Sequence, residues 1–186
     1  IPCHNGRDLT RACITSLLAQ DGGHELEICI VDNASTDGTA DLAAEFACVR
    51  VVHLSENRGF AGGVNAGILA TSAPLLLILN NDTQAAPNLV HELGRVLESQ
   101  AGVGAVGPVS NYVKGPALLR IRDDTRRPEV RAELAAALAE CGSAEVQDVD
   151  SLSGLCLLVR RSTLAEIGLF DERIDKGEEF LFPDGL

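Results

Sequence analysis

The chain has 186 residues, 46% of them hydrophobic, which suits one α/β domain with an ordinary buried core. Its formal net charge of −12 argues against nucleic acid or an anionic membrane as the main partner, because both attract clustered Lys and Arg. No apolar stretch reaches the roughly 20 residues that span a bilayer. We predict a single domain over residues 1–186 and expect the polypeptide to continue beyond both ends.

Apolar segments of strand length alternate along the chain with segments of helical apolar spacing. This rhythm predicts an α/β fold, with a mostly parallel sheet and helices on both faces. The predicted strands are 1–3, 26–31, 49–54, 75–79, 103–106 and 155–159. The predicted helices are 7–20, 39–46, 61–72, 87–99, 128–141 and a short helix that Ser162 caps and Gly168 ends.

The second predicted strand ends in a long polar run, from Asp32 to Thr39. In open α/β folds ligands bind at the carboxyl ends of the strands, where Asp32 could accept hydrogen bonds from a ribose or a base. Ser35, Thr36 and Asp37 supply oxygens that can cap the following helix. A cap needs one such residue, so the run predicts a binding role in addition to capping.

A glycine-rich segment, residues 56–67, follows the third predicted strand. Glycines let the backbone approach a ligand closely, and free amides at a helix start suit a diphosphate. Arg58 could pair with a phosphate or line a base pocket. The alternative is a helix of small residues packed tightly on the sheet. The segment is not a GxGxxG after a first strand, which disfavours a dehydrogenase.

The fourth predicted strand, 75–79, ends in Asn80-Asn81-Asp82. A carboxylate at this edge is a hard oxygen donor suited to Mg²⁺ or Mn²⁺ shared with a substrate's phosphates. The alternative is an Asx-type turn in which Asp82 or Thr83 caps the next helix. Because two strands end in the same polar manner, we favour a binding cleft.

Six cysteines are dispersed along the chain without a CxxC pair, and several lie in apolar runs. This pattern favours buried reduced thiols in a cytosolic protein over a disulfide framework or a zinc site. They are Cys3, Cys13, Cys29, Cys48, Cys141 and Cys156.

Taken together and in this order, the motifs of the chain resemble those of family 2 glycosyltransferases. The likeness is strongest to the rhamnosyltransferase-like branch that builds bacterial surface polysaccharides. The motifs are Pro2–Asn5, Val31–Thr39, Glu56–Gly67, Leu79–Thr83, Gly154–Arg161 and Gly168–Arg173.

The resemblance implies a GT-A nucleotide-diphospho-sugar transferase fold and a role for each matching residue. Asp82 would bind a divalent metal, Mg²⁺ or Mn²⁺, that bridges the donor diphosphate, and Asn81 stands where many relatives carry an acid. Asp32 would contact the base or ribose. The other residues expected at the nucleotide-sugar site are Pro2, Asn5, Arg58, Gly63, Asn65 and Asn81.

The resemblance also implies inverting transfer from a UDP- or dTDP-linked donor to a glycan or lipid-linked acceptor. The general base would come from acids after the Phe-Asp-Glu-Arg motif, where Glu179 or Glu178 is the best candidate and Asp184 a weaker one. The alternative for all three is a solvated acidic tail, while Asp171 and Glu172 are expected to hold the turn. We expect a cytoplasmic enzyme, with any peripheral membrane contact at the inner face made by parts beyond these residues.

Two other functions fit parts of the sequence. A nucleotide-sugar-binding module without catalysis would explain the imperfect acidic segment after residue 173. A sugar-phosphate nucleotidyltransferase would need a first loop rich in glycine and arginine, which does not follow Ile1-Pro2. The transferase is therefore the leading hypothesis.

Overall fold

The computed structural model describes residues 1–23, 25–100, 102–110, 127, 129–130, 133–134, 136–137 and 146–174. Strands and helices alternate along the first hundred residues, as the apolar spacing predicts. The elements up to the glycine-rich helix are β1 (Pro2–Cys3), α1 (Arg7–Leu18), β2 (Ile28–Asn33), a 3₁₀ helix (Thr39–Ala44), β3 (Val49–Leu54) and α2 (Gly59–Ala70). Those that follow are β4 (Leu75–Leu79), α3 (Leu89–Ser99), β5 (Ala105–Val106), β6 (Cys156–Arg160) and α4 (Arg161–Ile167).

The strands form two three-stranded sheets. In the first, β2 lies between β1 and β3 and both pairings are parallel, with Pro2 opposite Val31 and Ile28 opposite Val49. In the second, β6 lies between β4 and β5 and both pairings are antiparallel, with Leu79 opposite Cys156. The predicted α/β fold with a parallel sheet is confirmed, and the structure adds an antiparallel sheet that strand spacing alone does not indicate.

Helices cover both faces of the sheets, as predicted. Successive side chains of a strand point to opposite faces, and β4 shows the consequence. Leu79 packs in a core cluster with residues of α1 and α3, such as Ile14 and Leu97. Ile78 packs in a second cluster with residues of α2 and α4, such as Val64. Residues of β2 share the first cluster with β4, so the two sheets enclose a common core.

Some predicted details differ in the structure. The helix predicted over 39–46 is a 3₁₀ helix. Ser162 lies inside α4 and does not cap it, because β6 runs directly into the helix and leaves Arg160 as the capping position. Gly168 ends α4 as predicted, with a left-handed φ of +93°. The described residues between 129 and 137 are helical, as expected for that segment.

Among the described residues, no helix combines the length and apolar character that crossing a bilayer would require.

Candidate functional site

The turn between β1 and α1 contacts the polar ends of both β2 and β4. The backbone N–H of Asn5 donates to Ser35 Oγ at 2.9 Å, and Asn5 Oδ1 accepts from the Thr36 N–H at 2.9 Å. On the other side, Asn81 Nδ2 donates to the Asn5 carbonyl at 3.1 Å. Asn5 therefore joins the ends of β2 and β4, Asn33 and Leu79, which lie 46 residues apart in the sequence. The predicted site residues at those ends belong to one surface.

The shape of this turn depends on two left-handed residues, Asn5 at φ +63° and Gly6 at φ +84°. Asn tolerates this conformation better than most residues, and Gly adopts it without strain. A Cβ at Gly6 would lie 3.3 Å from Asn81 Nδ2, so the glycine also leaves room for the amide. Asn81 donates a second hydrogen bond to Thr10 Oγ1 at 2.9 Å. A carboxylate could not donate to the Asn5 carbonyl, which explains an amide at position 81.

Asp32, at the end of β2, is buried with a residual exposure of 5%. Its Oδ1 accepts a hydrogen bond from the Ser35 N–H at 2.9 Å, and its Oδ2 lies 3.3 Å from His53 Nδ1. The His53 side chain is 64% exposed and was not predicted as a site residue. Asp32 thus organises the loop after β2 and presents only a small part of its carboxylate to a ligand.

Further hydrogen bonds attach the loop after β2 to the start of α1. His4 Nδ1 donates to the Asn33 carbonyl at 2.8 Å, and Asp37 Oδ2 accepts from the Arg7 N–H at 2.9 Å. The hydrogen bond from the Thr39 hydroxyl, followed by that from the Arg7 backbone, lowers the pKa of Asp37 from 3.8 to about 2. Asp37 also accepts from the Thr39 N–H at 3.0 Å. The N-cap position of the 3₁₀ helix is nevertheless Gly38, so the predicted side-chain cap is replaced by a contact from the residue before it.

Asn33 was missed by the sequence reasoning, although it connects β2 to α2. Its side chain is almost fully buried, with 3% exposure. Oδ1 accepts from the Arg58 N–H at 2.9 Å, and Nδ2 donates to the Gly59 carbonyl at 2.7 Å. The only available signal was that Asn33 stands in the polar run directly after Asp32. Asn33 orients the backbone where the predicted diphosphate-binding helix begins.

The glycines of α2 allow this helix to pack closely against the first sheet. A Cβ at Gly63 would lie 2.9 Å from Pro2 Cβ and 3.2 Å from Asn33 Nδ2, and one at Gly67 would lie 3.1 Å from Val31 Cγ2. This geometry matches the packing alternative for the glycine-rich segment. The same close approach brings Pro2, Asn33 and Gly63 together at one end of the parallel sheet.

A polar cluster joins the start of α2 to the turn after α4. Arg58 Nη2 donates to Glu172 Oε2 at 2.6 Å, and Asn65 Nδ2 donates to Glu172 Oε1 at 2.9 Å. Asn65 also exchanges two hydrogen bonds with the backbone of Phe170, at 2.9 and 3.1 Å. The hydrogen bonds from Asn65 and then Arg58 lower the pKa of Glu172 below its usual range. Glu172 holds the turn, as predicted. The oxygen and the nitrogen of the Asn65 amide are both hydrogen-bonded to this turn.

Asp82 is exposed, as Arg58 and Glu172 are, but it differs from them in what its carboxylate contacts. Within the described part of the chain it makes no hydrogen bond or ion pair. No group of three His, Cys, Asp or Glu side chains among the described residues could hold a metal alone. A lone free carboxylate fits a Mg²⁺-type ion, which is often held by one or two carboxylates together with substrate phosphates and water.

The candidate bases Glu178, Glu179 and Asp184 lie outside the described residues.

A family model described as "Glycosyl transferase family 2" matches residues 1–166 of the chain. That match covers every described strand and all but the last residue of α4. It also includes the predicted residues Pro2, Asn5, Asp32, Arg58, Gly63, Asn65, Asn81 and Asp82.

Two curated relatives share sequence with most of this region. The succinoglycan biosynthesis protein ExoO of Rhizobium meliloti (strain 1021) is 34% identical over 113 residues, covering 60% of this chain and 31% of the relative. The N-acetylglucosaminyl-diphospho-decaprenol L-rhamnosyltransferase of Mycobacterium tuberculosis (strain ATCC 25618 / H37Rv) is 28% identical over 175 residues, covering 80% and 56% respectively.

Among solved structures, a mannosyltransferase from Pyrobaculum calidifontis, in complex with GDP-Man and Mn²⁺, superimposes with a TM-score of 0.67. It is 22% identical, and the likeness covers 92% of this chain and 46% of that protein. The similarity shows a shared fold. The chain spans between 31% and 56% of the length of these matched proteins.

Proposed function

Because this chain belongs to glycosyl transferase family 2, we propose that it moves a sugar from a nucleotide-diphosphate donor to an acceptor hydroxyl. The fold is of the GT-A type expected from the sequence motifs. The observation that carries the proposal is the position of Asn5. It is hydrogen-bonded both to the loop after β2 and to Asn81 beside Asp82. A nucleoside site and a cation site can therefore serve one extended donor.

We assign the nucleoside end of the donor to the loop after β2. Asp32, Asn5 and Pro2 would line the pocket for the base and ribose, and the exposed His53 beside Asp32 lies within reach of the same pocket. The hydrogen bonds that fix this loop before a ligand arrives reduce the ordering cost of binding.

The diphosphate would lie near the start of α2. Arg58 can pair with a phosphate, since its side chain remains 41% exposed beside Glu172. Gly63 permits the close approach of α2 to the sheet. Asn65 acts as a positioning residue, because its amide is occupied by Phe170 and Glu172. We assign Asn81 a similar role toward Asn5.

The cation, Mg²⁺ or Mn²⁺, would be held by Asp82 and by the donor's phosphates. When bound, it would neutralise the charge that develops on the departing nucleoside diphosphate. The exposed carboxylate without a partner in the described chain supports this role. The Pyrobaculum neighbour was solved with GDP-Man and Mn²⁺, which is consistent with the proposal.

Inverting transfer needs a base that takes the proton of the acceptor hydroxyl as its oxygen attacks the anomeric carbon. We propose Glu179 or Glu178 for this step, as the family motif implies. A base of this kind contributes roughly 10²–10⁴-fold to the rate.

For the substrates we propose a UDP- or dTDP-linked sugar and a glycan or lipid-linked acceptor, in the assembly of a bacterial surface polysaccharide. The activities named for the Rhizobium and Mycobacterium relatives support this class. The described cysteines, five in number, are free thiols, which supports a reducing compartment on the cytoplasmic side of the membrane.

Donor binding and turnover test the proposal separately. Nucleotide sugars are screened by thermal shift with and without Mn²⁺, because a ligand that binds only the folded state raises the Tm. Release of nucleoside diphosphate is then measured with glycan and lipid-linked acceptors. We expect Mn²⁺-dependent binding of one nucleotide class, and release that Asp82→Asn abolishes. Binding without release would identify a nucleotide-sugar-binding module, and no binding at all would overturn the proposal.

A further inference from the structure

Asp32 is the acid assigned to the nucleoside end of the donor, yet little of its carboxylate is available to a ligand. Its side chain is buried, and both of its oxygens already have contacts. Oδ1 accepts from the Ser35 N–H at 2.9 Å, and Oδ2 lies 3.3 Å from His53 Nδ1. A base that approached the end of β2 would therefore have to compete with Ser35 or His53 for this acid.

The adjacent strand places His53 beside Asp32. The two residues are opposite each other in the parallel β2–β3 ladder, so their side chains lie on the same face of the sheet. Asp32 is buried, whereas the His53 side chain is 64% exposed. Within the described part of the chain, His53 Nε2 has no hydrogen-bond partner. The imidazole thus extends from a buried carboxylate to a surface that a ligand can reach.

The contact with Asp32 determines which nitrogen of the neutral imidazole carries the proton. A carboxylate accepts hydrogen bonds and cannot donate one, so Nδ1 is the N–H that faces Asp32 Oδ2. A neutral imidazole has a single N–H, which leaves Nε2 as an acceptor. The exposed end of His53 is therefore a hydrogen-bond acceptor, and Asp32 keeps it so.

We propose that His53 is a specificity-determining residue whose Nε2 accepts a hydrogen bond from the ring N–H of the donor's base. Uracil and thymine carry an N–H at N3, whereas cytosine has an unprotonated acceptor nitrogen there. His53 thus selects uracil or thymine against cytosine, and Asp32 acts through it as a positioning residue. The inference rests on the proposed function, because it needs a nucleotide donor whose base lies at the end of β2.

His4 is a second histidine beside the end of β2 and the alternative residue for this role. Its Nδ1 donates to the Asn33 carbonyl at 2.8 Å, so its Nε2 is an acceptor as well. The partner of His53 is a carboxylate, which increases the basicity of the opposite ring nitrogen more than a neutral carbonyl does. His53 Nε2 is therefore the stronger acceptor, and His4 provides a matched control.

Calorimetry with two pairs of nucleotides, UDP against CDP and dTDP against dCDP, tests the inference. The titrations contain Mn²⁺ and are made near pH ~8, where an ordinary imidazole is neutral. UDP and CDP share the ribose and the diphosphate, so the ratio of their affinities reports on the base alone. We expect the parent to bind the uracil or thymine nucleotide at least about tenfold more tightly than its cytosine counterpart.

His53→Phe keeps a flat, exposed ring and removes both nitrogens. We expect this variant to bind the two members of each pair with affinities within about twofold of each other. His4→Phe is the matched control, and it should keep the preference of the parent. A preference that survives His53→Phe, or one that His4→Phe abolishes, would overturn the role of His53.

Asp32→Asn reverses the hydrogen-bonding character of His53. The amide oxygen can still accept from the Ser35 N–H, while the amide nitrogen donates to His53 Nδ1. Nε2 then carries the N–H, so we expect this variant to bind the cytosine nucleotide more tightly. Adding His53→Phe should remove that new preference. If the double variant keeps it, position 32 contacts the base directly and the inference is wrong.

The same titrations separate this inference from the proposed function. If none of the four nucleotides binds to the parent, the proposed donor is wrong and the role of His53 is overturned with it. If nucleotides bind and the parent does not distinguish uracil or thymine from cytosine, the proposed function stands and the inference about His53 alone is overturned.

Discussion

The ends of β2 and β4 follow the same sequence pattern, an apolar strand that stops in an acid and amides, yet they differ in structure. Asp32 after β2 is 5% exposed and accepts a hydrogen bond from Ser35. Asp82 after β4 is exposed and has no hydrogen-bond partner among the described residues. The loop after β2 folds over Asp32 and hydrogen-bonds to it through Ser35. The end of β4 is held by the hydrogen bonds of Asn81, which leave Asp82 exposed. The same pattern therefore yields one acid that organises its loop and one acid free for a ligand.

The largest expected effect comes from removing Asp82, the exposed acid after β4. We expect Asp82→Ala to lower turnover at least about 100-fold, because loss of cation binding removes several kcal/mol of transition-state stabilisation. Its Tm should stay within about 2 °C of the parent, since an exposed side chain without partners contributes little to folding. Nucleoside diphosphate release and a thermal melt measure the two quantities. Full activity in the variant would show that Asp82 does not bind the cation.

Substitution of Asp32, the buried acid after β2, should affect both donor binding and stability. We expect Asp32→Ala to weaken donor binding roughly tenfold and also to lower the Tm by roughly 2–10 °C, because it leaves the partly buried Ser35 N–H without an acceptor. Asp32→Asn is the matched control, since its amide oxygen can still accept from Ser35. Calorimetry of donor binding with melts of both variants separates the charge from the hydrogen bond. If Asp32→Ala melts with the parent, the two strand ends do not differ as described.

Asn81→Asp tests whether the hydrogen bonds of Asn81 to Asn5 and Thr10 hold the end of β4 in place. The substitution brings a carboxylate against the carbonyl of Asn5 and removes two donated hydrogen bonds, including that to Thr10. We expect the Tm to fall by roughly 2–8 °C, with no gain in apparent Mn²⁺ affinity. Melts and Mn²⁺ titrations of activity provide the check. An unchanged Tm together with tighter Mn²⁺ binding would mean that position 81 serves the cation directly.

The smallest expected effect concerns pH. The pKa of Asp37 is lowered to about 2 in the folded protein, against 3.8 ordinarily. A depressed acid pKa stabilises the fold fully above pH ~4, and this contribution disappears as pH falls from 3.8 toward 2. The parent should therefore be slightly more stable than Asp37→Asn at pH 7, by less than about 3 °C in Tm, and the difference should vanish by pH 2. A difference that stays constant over this range would rule out the linkage.

Much of the site region was predictable because strand ends and polar runs are local features. The runs after β2 and β4 predicted polar residues that share one surface, and the hydrogen bonds of Asn5 join the two strand ends. The cation role of Asp82 stays a prediction. The roles of Asn33 and Asn65 were not readable from the chain. Asn65 meets Phe170 at a separation of 105 residues, and only the packing of α2 beside the turn after α4 makes them partners.

By itself the sequence determined the order of strands and helices, since apolar periodicity reports which face of each local segment is buried. It also determined the family, through motifs that keep their order along the chain. The tertiary structure alone decided that β6 runs antiparallel between β4 and β5. Strand direction depends on how distant segments pack, and residue spacing within one segment does not show which distant segment it contacts.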